Sequence, residues 1–206
     1  MANEFPLETE TSPDGARIPK KVISVLAARS PLLASWDWKR ISELNQIECA
    51  KRRSQFGYNS ETSGRVKDDW GASNRRDLTL PEAFNLLRSC NRLAPFHFSN
   101  ETTFAEIARL VTEMSLADLP RTRRRAAGLL GVDYVSRDLD QKTLILELEA
   151  LTGPLKFEPG DRVRTFKGSM HGTILGLFPD GRLAWLTDSG AELVSSPEAL
   201  LIEGRK

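Results

Sequence analysis

"PGDRVRTFKGSMHGTILGLFPDGRLAWLTDSG", residues 159–190, decides the fold of the C-terminal quarter of the chain. Runs rich in β-branched, aromatic and aliphatic residues (DRVRTF, GTILGLF, RLAWLT) are divided by PG, KGS, PDG and DSG, the residues that turns require. The PDG turn joins two runs of similar length and predicts a hairpin. Beyond Gly190, AELV and LLIE add two further runs with a tight turn near Pro197. Five short strands in fewer than fifty residues predict a small closed barrel over 157–203.

Working back from Phe157, the hydrophobic period changes from two to about 3.6 residues, so 18–153 reads as an α-helical domain. The fold class is therefore α+β: an α-helical N-terminal domain followed by a small five-stranded β-barrel. Residues 1–17 lack apolar periodicity and read as a disordered tail. PKKVISVLAARS predicts a helix up to Ser30, interrupted by Pro31. Asp37 is placed to cap a helix running toward Gly57, with Trp38, Ile41, Leu44 and Ile47 as its stripe. Residues 58–77 are polar and aperiodic and predict a long loop, in which Trp70 is either tucked onto the body or an anchor for a partner.

Thr79 and Glu82 in TLPE form a capping box, and Leu80, Ala83, Phe84, Leu87 and Cys90 form the buried face behind it. Thr103 and Glu106 repeat the box, ahead of Phe104, Ile107, Ala108, Val111 and Met114. In the connector LAPFHFSN, Phe96 and Phe98 are core plugs, and His97 has no neighbouring acid, thiol or second histidine. Thr122 is placed to cap a helix ending at Gly131. Ser136 is placed to cap one ending at Gly153-Pro154, although the alternation of Leu144, Leu146 and Leu148 leaves a strand open there.

The net charge of +1 conceals an asymmetry: −4 over residues 1–16, +7 over 17–76, −2 over 77–154 and zero over 155–206. A basic segment beside a neutral body fits either an anion-binding arm or a solvated surface. No apolar run reaches the eighteen or so residues that cross a bilayer, and the acidic start is unlike a signal peptide. Two isolated cysteines, Cys49 and Cys90, fit a reducing cytoplasm. There is no GxSxG, phosphate loop or HExxH, and no cofactor or metal motif, so an enzyme is not expected. Asp68-Asp69 splay apart without a histidine, and Lys167-Gly168-Ser169 with His171 reads as a tight turn. The terminal IEGR-K spells a protease site, whether native or appended.

Gly160, Asp161, Val163, Gly172, Thr173, Ile174, Asp180, Gly181 and Trp185 give the C-terminal quarter a resemblance to SH3-like small barrels of the KOW or Tudor-like type. That resemblance implies binding of RNA, ribosomes, polymerases or peptides, with Arg164, Lys167 and Trp185 as contacts. Trp185, Phe166 and Phe178 do not make the multi-aromatic cage of methyl-lysine readers.

The stretch PRTRRRAAGLLGVDYVSRDL, 120–139, resembles a helix-turn-helix pattern through Ala126, Ala127, Leu130, Gly131 and Val132, then VSRDL. The resemblance implies packed alanines, a turn at Gly131 and a second helix in the major groove. The segment between Gly131-Val132 and VSR is two residues shorter than that family's, and Asp133, Asp138 and Asp140 crowd the phosphate-facing surface. A structural helical hairpin is the alternative. On an ideal helix the arginines fan out, with Arg123 at the boundary and Arg124 and Arg125 outward.

The functional expectation is a non-enzymatic cytoplasmic adaptor associating with DNA or RNA. Its contacts are Lys51, Arg52, Arg53, Arg121, Arg123, Arg124, Arg125, Arg164, Lys167 and Trp185. The alternative is a protein-interaction scaffold docking on a larger complex.

Overall fold

The computed structural model describes residues 31–73, 75, 78–153, 155–166 and 168–203. The expected tail over 1–17, the helix up to Ser30, Lys167, Pro154 and the last three residues lie outside them. A 3-10 turn at Pro31–Ser35 leads into α1 (Trp38–Lys51), α2 (Ser63–Ala72), α3 (Leu80–Leu93), α4 (Asn100–Ser115), α5 (Arg121–Ser136) and α6 (Gln141–Thr152). Strands β1 (Arg162–Thr165), β2 (His171–Leu177), β3 (Leu183–Thr187), β4 (Glu192–Ser195) and β5 (Leu200–Ile202) follow. The class is α+β, a helical N-terminal region followed by one antiparallel sheet ordered β4-β3-β2-β1-β5.

Asp37 caps α1, its carboxylate accepting the Arg40 N–H at 2.8 Å. Of the expected stripe, Ile41 is buried and Trp38 and Leu44 pack partly buried against the core, whereas Ile47 is exposed; Ser42, Asn45, Glu48 and Cys49 complete the buried face. Four positions at successive i+3 steps drift by about 60° per step, so the last member turns away from the first. The helix ends at Lys51, short of Gly57, and Arg53 takes a left-handed φ of 55°. The expected polar loop instead contains α2. Val66 and Trp70, one turn apart, are buried, and the Trp70 indole N–H donates to the Trp36 carbonyl at 2.8 Å. Two anchors on an otherwise solvated helix leave almost no periodicity to read.

The Thr79–Glu82 capping box forms as expected, and all five predicted apolar residues of α3 are buried. Burial, helped by the Asp69 charge, pushes the Cys90 thiol up to about 12. Iodoacetamide at mildly alkaline pH should therefore leave Cys90 unmodified in the native protein and label it once urea unfolds the chain. Fast native labelling, read by peptide mass, would show that α3 opens readily.

The second predicted box is not a cap. Thr103 lies fully buried inside α4, donating its hydroxyl to the Ser99 carbonyl at 2.7 Å and accepting from Asn45 Nδ2 at 3.0 Å. Phe104, Ile107, Ala108 and Val111 are buried, whereas Met114 is exposed. Phe96 plugs the core, while Phe98 and His97 face out.

Helix α5 starts after Pro120 without a Thr122 cap and runs unbroken through Gly131 to Ser136. Gly131 makes no turn: a Cβ there would meet two Phe84 ring carbons at 3.0 Å, so its role is close approach of α3. Val135 belongs to the last turn of this same helix, not to a second one. Asp140 rather than Ser136 caps α6, accepting the Thr143 N–H at 2.9 Å, and the 142–150 region is helical with Leu144, Leu148 and Leu151 buried.

All five predicted strands form. The PDG hairpin closes through Phe178 N–H to the Arg182 carbonyl at 2.8 Å, with Gly181 at φ 82°. Among the described residues no ladder joins β4 to β5, so the sheet does not close by backbone pairing. Val163, Leu183 and Leu200 are nonetheless fully buried in one small core with Phe157, Ile174 and Trp185. On β5 successive side chains point to opposite faces. Leu200 enters this core, and Leu201 enters the helical core. The two halves are thus welded along one short strand.

Candidate functional site

Of the ten residues expected to contact a partner, Lys167 lies outside the described residues, and the other nine separate into four groups. Arg123 and Trp185 are inside the protein, each about 1 % exposed. The Arg123 guanidinium donates to the carbonyls of Leu151 (3.2 Å), Gly153 (2.9 Å) and Leu200 (2.9 Å). Burial lowers its pKa, partly offset by Glu198. It joins α5 to the end of α6 and to β5, so it is structural. Trp185 fills the core of the sheet and donates its indole N–H to Ser195 Oγ at 3.0 Å.

Arg164 is largely covered and paired with Glu147 of α6 at 2.7 Å, with Glu203 4.0 Å away. It is a strut between sheet and helices. Lys51, Arg52 and Arg53 are exposed at the end of α1, Lys51 being paired with Glu48.

Only Arg121, Arg124 and Arg125 come together around a cavity. They line a cleft of about 360 Å³ between α4 and α5, with Arg109, Glu113 and Leu129. Gly128 sets its width: a Cβ there would stand 3.2 Å from Arg109 Cγ and 3.1 Å from Glu113 Oε1. Arg109 is fixed by Glu106 (2.6 and 2.8 Å) and Glu113 (2.7 Å), and these carboxylates raise its pKa. Arg124 donates to the Ala117 carbonyl at 3.2 Å. Arg121 and Arg125 are exposed and have no hydrogen-bond or ion-pair partner among the described residues.

Four guanidinium groups therefore face one lining carboxylate, beside the positive end of α5, whose first turn holds no acid. The arrangement suits an anion with several oxygens: Arg121 and Arg125 offer planar forks of donors and Arg124 keeps part of its own, while the fork of Arg109 is held by Glu106 and Glu113.

The arginine fan expected on an ideal helix is rotated in the structure. Arg123 lies on the inner face because Ala127, Gly131 and Val135, not Leu129, define the buried side of α5; Leu129 is exposed. Arg109 and Glu113 line this cleft but are not among the residues expected from the sequence. Their signal is the E-x-x-R-x-x-x-E spacing of Glu106, Arg109 and Glu113, which puts three charges on one helical surface.

His171 contacts Glu203 through Nδ1 at 2.7 Å and the Gly168 carbonyl through Nε2 at 2.9 Å, tying down the first turn of the sheet. Asp69 pairs with Arg65 at 3.7 Å. Among the described residues no group of three His, Cys, Asp or Glu could hold a metal, and no helix is long and apolar enough to cross a membrane. No protein-family model, curated protein or solved structure shows significant similarity to the chain.

Proposed function

We propose that the protein is a non-enzymatic cytoplasmic adaptor that associates with nucleic acid, taking backbone phosphates in the α4–α5 arginine cleft. The observation that carries this reading is the pair Arg121 and Arg125, exposed and unpartnered among the described residues beside Arg124 and Arg109. Phosphate neutralisation by such groups is the main sequence-independent source of affinity. The five-stranded sheet supports an SH3-like barrel as the second element of the adaptor.

The test is anisotropy of labelled single-stranded RNA and DNA at rising salt. Log affinity should fall linearly with log salt. Replacing Arg121, Arg124 and Arg125 together by alanine should flatten that slope by roughly one unit for each phosphate no longer neutralised. Absence of binding at low salt, or an unaltered slope, overturns the reading.

A second reading, docking on a protein partner, draws on the outer face of the sheet. Leu186 and Val194 are exposed on the face opposite the buried Trp185 and Leu183, and Leu175, Leu177 and Phe178 are exposed at the end of β2. Exposed apolar side chains become contact sites where they form one patch.

A further inference from the structure

The helical half carries a second cleft, of about 420 Å³, whose wall is aromatic. Phe96 is fully buried, and three rings overlie it. Trp38 stacks on it at 5.7 Å between centroids and 13° between planes, while Tyr58 and Phe56 tilt against it at 5.6 and 6.1 Å. These three rings also line the cleft, Tyr58 exposed and Trp38 and Phe56 half-buried, with Phe56 and Tyr58 packed edge to face at 5.2 Å. Tyr58 is pinned by its hydroxyl donating to Ser42 Oγ at 3.0 Å, and Ser42 in turn donates to the Trp38 carbonyl at 2.8 Å. The wall is preorganised by the core beneath it.

At the rim stand Lys39 and Lys67 against one carboxylate, Glu43, which lies 3.9 Å from the Lys39 ammonium. Lys67 has no partner among the described residues. Two ammonium groups to one carboxylate repel a cationic guest such as a methylated lysine and attract an anion. A flat π-face flanked by cations accepts a planar base bearing a phosphate. The volume lies within the roughly 300–1,000 Å³ of small-ligand pockets.

We infer that this cleft is a nucleobase site: a base stacks on the Trp38–Tyr58 wall while its phosphate meets Lys67 and Lys39. The inference rests on the proposed nucleic-acid association only in supplying the strand, and it makes the preferred strand single, since a paired base cannot enter.

Trp38 also reports on it. Of four tryptophans, Trp36, Trp70 and Trp185 are buried and Trp38 is not. Titration with AMP or UMP should quench emission, and ribose 5-phosphate should not. Trp38→Phe should lose the quenching and weaken oligonucleotide binding less than Tyr58→Ala does, since phenylalanine keeps a stacking face. Tyr58→Ala should weaken mononucleotide binding by roughly 5- to 100-fold. Lys67→Gln, at an exposed position, should weaken AMP but leave adenosine unchanged.

An oligonucleotide binding more tightly than the mononucleotide would identify a strand as the ligand, and equal affinity would identify the free nucleotide; either supports the base site. Quenching by AMP should survive replacement of Arg121, Arg124 and Arg125, so failure of the phosphate cleft and failure of the base site are told apart. Quenching by a trimethyl-lysine peptide instead of nucleotides, equal quenching by ribose 5-phosphate, or none at all overturns the inference.

Discussion

Replacing Arg123 by leucine should destabilise the protein by on the order of 3 to 5 kcal/mol, seen as a melting midpoint lower by on the order of 10 °C. The guanidinium serves three carbonyls at once. Two of them, on Leu151 and Gly153, lie at the C-terminal end of α6, where helix carbonyls have no partners of their own. The third belongs to Leu200, the first residue of β5. Leucine strands all three in a buried seam, and each orphaned acceptor costs about 1–3 kcal/mol.

Two effects oppose that loss without cancelling it. Removing a buried charge relieves its desolvation, which is what lowers the Arg123 pKa, and Arg123 Nε itself has no hydrogen-bond partner. Against them, the positive charge sits favourably at the negative end of α6. Arg123→Lys keeps the charge but loses the fork, so it should fall between wild type and leucine. Nucleic-acid affinity, measured below the melting transition, should stay unchanged in both variants because Arg123 reaches no solvent. Unchanged melting in Arg123→Leu would show that the seam is held by Leu201 and Phe166 packing alone.

The same residue explains why the helical half is harder to read than the sheet. In the C-terminal quarter each strand is bracketed by glycine or proline, and a period of two in a short run is hard to mistake. The Thr79 box is equally plain, because cap and apolar face lie within one dozen residues. Arg123 reads as a phosphate contact because an arginine beside two others looks solvated. Its true environment is set by α6 and β5, which lie 28 to 77 residues away in sequence. Trp70 on α2 is ambiguous for a related reason: its partner, the Trp36 carbonyl, is 34 residues distant. The arginine cleft is half legible, since one wall is the run Arg121–Arg125, while the other comes from Arg109 across a close approach that Gly128 permits.

Gly172→Ala should unfold or severely weaken the sheet, by about 3 kcal/mol or more, whereas Gly176→Ala on the same strand should be neutral or slightly stabilising. At Gly172 an added Cβ would lie 2.2 Å from the Leu186 carbonyl oxygen and 2.8 Å from Trp185 Cε3. Gly172 pairs with Thr187 on β3 and Val163 on β1, so β2 cannot retreat without breaking a ladder on one side. At Gly176, where the register shifts, nothing lies within 4 Å of the added carbon. There the substitution only restricts the unfolded chain. Hydrogen exchange of the β1–β5 peptides, followed by mass spectrometry across a urea titration, reads both variants against wild type. Because β5 feeds Leu200 to one core and Leu201 to the other, the loss at Gly172 should also lower the midpoint seen by far-ultraviolet dichroism of the helices. Separate transitions for sheet and helices would show that the β5 seam does not couple them, and equal stability of the two glycine variants would remove steric closeness as the reason for glycine at 172.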